Sequence, residues 1–265
     1  MATSMLFASC GPKKQSPKVL VLYYSQTSNT ATVAQEIQKA LGADMEAIVP
    51  VVPYDGTYQE TIERSRQERE EGILPEIEPI KADIAQYDII FLGFPVWFGT
   101  VAPPVGKLLE TVDFSGKTLV PFCTFGSGGL QSSSADIAAK QPDATVKPGY
   151  GVRAARMAAV PAEVDYFLKS NGYLEGEFTP LEEFSATRPV SEEEAAIFDA
   201  AVGEYPMIQA TPTQVASRTV PGGTEYLFTA QNKPREGMPA FGPMEMKVYV
   251  LAADGEAPVF TQVVR

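Results

Sequence analysis

At 265 residues, 45% of them hydrophobic, the chain has room for one large or two modest domains with a real core. Its formal net charge of −12 argues against nucleic acid and anionic membrane surfaces as direct partners. There is no histidine, which removes Ser-His-Asp and Cys-His catalysis, His-ligated metals and His general bases together. The two cysteines, Cys10 and Cys123, cannot make a zinc site alone, so any chemistry should come from a bound cofactor.

The chain begins with a short apolar run and the small pair Ala8-Ser9 before Cys10. This resembles the end of a bacterial lipoprotein signal, whose cysteine is lipidated and becomes the new N-terminus. Phe7 stands where that pattern usually has Leu, and the basic leader is absent; the alternative is a plain N-terminal extension. Gly11–Pro17 would serve as a tether. The lipoprotein reading implies a protein anchored in the bacterial cell envelope and facing the periplasm; the alternative places it in the cytoplasm.

Val19–Tyr24 is an unbroken apolar and aromatic run, as expected of a strand buried on both faces in the middle of a sheet. Ser25-Gln26-Thr27-Ser28-Asn29-Thr30 follows, rich in hydroxyls and amides, and leads into a helix with Val33, Ala34, Ile37, Ala40 and Leu41 on one face and Gly42 as its stop. Such a loop at a helix N-terminus suits an anion. It has no Lys or Arg, which suits a phosphate monoester held in place rather than one being transferred. Met45–Val52 reads as a second strand, completing a βαβ unit. Tyr54–Ala82 reads as a surface excursion, with Glu60–Gly72 a charged, solvated helix.

Asp88–Phe94 is a third strand, Pro104 sits in the first turn of a helix ending near Glu110, and Lys117–Phe125 is a fourth strand. Pro121 inside that strand removes a ladder donor, which argues against a central position unless there is a bulge. Helices are expected at Ser134–Lys140 and Pro161–Asn171, with an irregular fifth strand over Thr145–Arg153. The fold class is therefore α/β, a doubly wound parallel sheet, followed by a smaller α+β domain. Its boundaries are a tether at 1–17, the sheet domain at 18–174, a linker at 175–190 and the second domain at 191–265. That second domain has one helix from the Ser191-Glu192-Glu193-Glu194 signature to about Glu204, then strands at Thr213–Val220, Thr224–Ala230, Met244–Ala252 and Val259–Val264.

Open parallel sheets bind ligands beyond the carboxyl ends of their strands. Three loops leave those ends, at 25–30, 95–100 and 124–129. The first is polar, the second carries the only Trp, and the third is Gly/Ser-rich, so that backbone can approach a ligand. Singly, Trp97 could be a core residue and Ser25–Thr30 a helix cap; together the loops describe a site for a flat aromatic nucleotide.

The motifs Tyr-Tyr-Ser-x-Thr-x-Asn-Thr at Tyr23–Thr30, Gly-Phe-Pro-x-Trp-x-Gly-Thr at Gly93–Thr100 and Pro-Phe-x-Thr-x-Gly at Pro121–Gly126 resemble those of bacterial flavodoxins, over roughly Lys18–Gly172. The resemblance implies a flavodoxin-like fold, a five-stranded parallel sheet of order 2-1-3-4-5, and non-covalent FMN. It would place Ser25, Thr27, Ser28, Asn29 and Thr30 on the phosphate. Pro95, Val96, Trp97, Phe98 and Gly99 would line the ring, and Thr124, Gly126, Ser127 and Gly128 would flank it. Ser28 departs from the family, where Gly is common. Cys123 reads as a core residue.

The stretch from Ser191 resembles a cystatin, with Val215–Tyr226 standing for its first strand, loop and second strand. The Gln of the cystatin loop is missing, so the resemblance implies the fold and a docking or dimerising surface rather than protease inhibition. The whole describes an FMN-binding redox protein without a catalytic residue of its own, exchanging electrons with partner proteins or small acceptors. The alternatives are an FMN-dependent quinone or nitro-compound reductase, or a non-enzymatic binding protein working through its cystatin-like module.

Overall fold

Strand β1 (Val19–Tyr23) lies between two parallel neighbours, as its double-sided apolarity requires. The structure is a computed structural model that describes residues 16–203, 205, 208–232 and 244–265; Cys10 and the lipoprotein pattern lie outside them. Helix α1 (Asn29–Leu41) returns to β2 (Asp44–Ala47), shorter than the Met45–Val52 expectation because the chain leaves the ladder and meets it again only at a Pro50–Ile77 bridge. Helix α2 (Tyr58–Glu71) starts at Thr57 with a capping box to Glu60. Strand β3 (Ile89–Trp97) then runs antiparallel into the two-residue strand β4 (Thr100–Val101), and α3 (Pro103–Thr111) leads to β5 (Thr118–Phe125). After α4 (Leu130–Lys140) the edge strand comes in two pieces, β6 (Thr145–Val146) and β7 (Tyr150–Arg153), before α5 (Val160–Ser170). The sheet order is β2-β1-β3-β5-β6/β7, all parallel apart from β4.

The two-residue side-chain period sorts the core. Leu20, Leu22, Ile90, Leu92 and Leu119 face Val105, Leu108 and Leu109 of α3 and Ile137 of α4. Val21, Phe91, Val120 and Phe122 face Val33 and Ile37 of α1 and Val164 and Leu168 of α5. Helices therefore cover both faces, and every parallel strand ends on the same side.

Pro121 does sit in an inner strand, opposite Leu92. The broken edge accommodates it. Lys147 N–H donates to the Leu119 carbonyl, but the ladder then lapses over Lys147–Gly149 and resumes at Phe122–Tyr150. The missing Pro121 donor faces that gap, where a Cβ on Gly149 would lie 2.3 Å from the Pro121 carbonyl oxygen.

Among the described residues the C-terminal module has one helix, α6 (Glu192–Val202), and an antiparallel sheet. Its strands are β8 (Arg188–Pro189), β9 (Ala210–Val220), β10 (Gly223–Asn232), β11 (Glu245–Ala253) and β12 (Val259–Val264), in the order β12-β11-β10-β9-β8. Phe198 and Val202 of the helix pack on Val215, Phe228, Val248 and Phe260. The segment before it is docked rather than loose: Ser185 N–H donates to Ser217 O at 2.8 Å, and the Arg218 guanidinium lies 4.4 Å from the Phe184 ring centre.

The first turn of α6 is held from two sides. Arg188 donates to both oxygens of Glu194, at 2.7 and 2.6 Å, and the Ser191 N–H donates to the same carboxylate at 3.0 Å. These bonds, the Arg188 pair foremost, lower the Glu194 carboxyl from its ordinary 4.5 to about 2. Its stabilising effect is therefore complete above pH 4.5 and is lost as the pH falls towards about 2. Glu194→Gln should lower the denaturant midpoint of the C-terminal module at neutral pH and flatten its acid limb in that window. An acid limb identical to wild type would contradict the assignment.

Candidate functional site

The first, second and third loops leave β1, β3 and β5 at one end of the sheet. In the first, Ser28 caps α1 in the left-handed region (φ 66°), and α1 has no acidic residue in its first turn. Among the described residues, the backbone N–H groups of Thr27, Ser28, Asn29 and Thr30 meet no protein acceptor. Thr27 and Ser28 are exposed, Ser25 and Asn29 half-buried. Ser25 Oγ accepts from the Ala31 N–H at 3.2 Å and so shapes the turn from inside. Unpaired N–H groups at a helix N-terminus, with no negative charge beside them, fit a phosphate.

Thr30 and Thr124, expected at the phosphate and beside the ring, also join the first and third loops. Their hydroxyls bond to each other at 2.9 Å, both buried, and tie the start of α1 to the end of β5. Pro95 lies opposite Thr124 in the β3–β5 register, so the same rung supports the base of the second loop.

The second loop is a two-residue hairpin turn between β3 and β4, with Trp97 paired to Thr100. Phe98 (φ 50°) and Gly99 (φ 83°) both take left-handed conformations, as a type I′ turn demands. Phe is an unfavourable choice there. Among the described residues, Ser28 and Phe98 are the non-glycine residues with positive φ, and both lie in loops of this site. Such strained positions concentrate where structure is held for function. The turn is braced by α4: Ser132 Oγ donates to the Gly99 carbonyl at 2.5 Å, and Thr100 donates to Asp136.

Trp97 is wedged between Tyr54, with ring centres 5.1 Å apart, and Tyr24, 5.9 Å away. Tyr54 was not foreseen as part of the site. Its hydroxyl donates to Glu68 of α2 at 2.5 Å, and the Arg64 guanidinium stacks 3.8 Å from its ring centre while bonding Glu68 at 2.9 Å. Burial, then the Glu68 bond, raises the Tyr54 phenol well above its ordinary value, so it stays a protonated donor. Burial raises Tyr24 likewise, and its hydroxyl donates to Gln26 at 2.7 Å.

A cleft of about 740 Å³ opens between these parts. It joins Val96, Trp97, Phe98 and Gly99 to Gly126, Ser127 and Gly128, while Ser25–Thr30 do not line it. Its far wall is Tyr58, Thr61, Ile62 and Ser65 of α2. This corrects the reading of 60–72 as a purely solvated helix: Ser65 is buried, and its hydroxyl has no partner among the described residues. The signal was present, since residues 58, 61, 62 and 65 form an uncharged i, i+3, i+4, i+7 stripe on an otherwise charged helix. The remaining wall, Tyr205 and Gln262–Arg265, comes from the C-terminal module and had no sequence signal. Cys123 takes no part; it is fully buried, which raises its thiol.

Doubly wound topology, three loops at the carboxyl ends and a cleft walled by Trp97 define an α/β protein of the flavodoxin-like class. The family model for flavodoxins matches residues 18–160, more than half the chain, and this protein belongs to that family. The match does not extend to the C-terminal module. Among solved structures, a protein from Bacteroides uniformis assigned as a flavoprotein is 26% identical, with a TM-score of 0.50, over 56% of this chain and 98% of its own. One from Bacteroides eggerthii, assigned likewise, is 30% identical over 56% of this chain and 96% of its own, with a TM-score of 0.49. A Lactobacillus acidophilus flavoprotein, solved in complex with FMN, is 22% identical over 58% of this chain and all of its own, with a TM-score of 0.47.

The Thr30–Thr124 bond gives this end of the sheet a measurable test. Thr30→Val leaves Thr124 buried without its partner and should cost about 1–3 kcal/mol in urea unfolding, whereas Thr30→Val combined with Thr124→Val should recover most of that loss. Additive losses would show that the two hydroxyls are not coupled.

Proposed function

We propose that this protein binds FMN in the cleft and exchanges electrons through it with redox partners. The carrying observation is that unpaired N–H groups at the start of α1, the Trp97 wall and the backbone of the 126–129 loop all lie at the strand ends where this family's fold places its ligand, the last two lining the cleft itself. The FMN complex of the Lactobacillus acidophilus protein supports the same cofactor. When bound, FMN supplies the one- and two-electron chemistry.

The chain's part is to bind and orient. Thr27–Thr30 N–H groups, with the Ser25 and Ser28 hydroxyls near them, receive the phosphate. Trp97, held by Tyr24 and Tyr54, offers an apolar wall to the ring. Backbone groups of Phe98–Gly99 and Gly126–Gly128 lie on the cleft and can bond the ring's polar edge. The net charge of −12 disfavours added negative charge at the site and so favours a low potential. No side chain is needed as a general acid, and among the described residues no cluster could hold a metal.

A second reading, reduction of small quinones or nitro compounds, is favoured by one observation: the C-terminal module already covers the outer side of the third loop, with the Val263 N–H donating to Ser127 O at 2.7 Å. The cystatin-like resemblance of that module and its use as a docking or dimerising surface remain a proposal resting on the helix-and-meander pattern. Lipidation at Cys10, and with it an envelope location, rests on the sequence pattern alone.

Purified protein should be yellow or become so on reconstitution, with flavin near equimolar. FMN should quench Trp97 fluorescence, and Trp97→Ala should weaken FMN binding by on the order of ten-fold, equivalent to about 1.4 kcal/mol. A correctly folded protein that takes up no FMN would overturn the reading.

A further inference from the structure

The glycines of the third loop are occupied by another part of the same chain. A Cβ on Gly128 would lie 2.1 Å from the Val263 carbonyl oxygen, and one on Gly126 would lie 2.9 Å from the Tyr205 hydroxyl. β12 is the edge strand of its sheet, paired on one side to β11. An edge strand presents unpaired backbone groups, which proteins cover or blunt. Here the Val263 N–H donates to Ser127 O of the cofactor loop, at 2.7 Å.

Arg153, at the end of β7, fastens the contact. Its Nε donates to Gly126 O at 2.9 Å and its Nη1 to Phe260 O at 2.9 Å, while its guanidinium lies 3.4 Å from the Phe260 ring centre. One half-buried cation thus bridges the cofactor loop and β12. Removing it leaves two carbonyls without their charged donor.

We propose that the C-terminal module is a built-in wall of the cofactor cleft, docked on the third loop where a partner protein would otherwise settle, so that the cleft serves small planar acceptors and excludes protein ones. The proposal rests on the FMN reading of the cleft. A protein partner needs roughly 800 Å² of surface on each side. β12 and Tyr205 already cover the third loop, and the second loop is bounded by α2. What remains is an opening of small-molecule size, about 740 Å³ and lined by Tyr58, Ile62, Trp97 and Tyr205.

Full-length protein, loaded with FMN and reduced anaerobically with dithionite, can be mixed with two oxidants. A benzoquinone takes two electrons and two protons to give the hydroquinone. Ferric cytochrome c takes one electron, so two equivalents reoxidise one fully reduced protein. Wild type should be reoxidised much faster by the quinone. Arg153→Ala and Val263→Pro, the latter removing the outward N–H of an edge strand together with a buried valine side chain, should raise the cytochrome-to-quinone rate ratio by about ten-fold. Cytochrome c as fast as the quinone in wild type, or an unchanged ratio in both variants, would overturn the proposal.

A second readout needs no flavin. In the FMN-free chain, the Val263 amide should be protected from hydrogen exchange, and Arg153→Ala should speed its exchange by about ten-fold while circular dichroism stays native. Rapid Val263 exchange in folded wild type would also overturn the docking. Failure to bind FMN with Val263 still protected would instead strike the functional reading, and with it the acceptor selection, and leave the docking standing.

Discussion

The constraint on which the rest of the structure depends is burial of the parallel sheet on both faces. Val19–Tyr23 and Ile89–Trp97 are apolar at successive positions, so each strand must have helices above and below it. Parallel strands joined through helices send all their carboxyl ends the same way. The loops at 25–30, 95–100 and 124–129 are therefore neighbours in space although about 30 to 100 residues separate them in sequence. The Thr30–Thr124 hydroxyl pair then fixes the first loop against the third from beneath. The site inherits its geometry from the core.

Much of this was legible in the sequence because it is written in local patterns. The two-sided strands, the amphipathic α1 and the Ser191 capping box each carry their own physical signature. So did the irregularity around Pro121, where a proline in one strand is matched by Lys147-Pro148-Gly149 in its neighbour. Neither strand alone shows that the two breaks face each other; only the register does. The candidate loops were legible for a related reason, since their residue types suit an anion, a ring and a close backbone approach.

What escaped was tertiary. Helix α2 reads as solvated because its charges dominate any average over the segment. Yet its uncharged stripe is turned to the cleft, and Arg64 and Glu68 bind Tyr54 against Trp97 rather than reaching only into water. The resemblance places Thr30 and Thr124 at the ligand, and nothing in the sequence shows that their hydroxyls also bond to each other. A buried hydroxyl must find a partner, and each of these finds the other.

The third loop carries the broadest lesson. A Gly/Ser-rich loop at a strand end signals that something must come close to the backbone, but the sequence does not say what. In this chain Gly126 and Gly128 leave room for Tyr205 and Val263 of the second module. Gly129 leaves room for Val96 of the neighbouring loop, where a Cβ would lie 2.5 Å from a Val96 methyl. The glycines thus let the cofactor loop be clamped between its neighbour and the C-terminal strand. A ligand in the cleft would meet a loop already held in place on its far side, and holding it costs nothing further at the moment of binding.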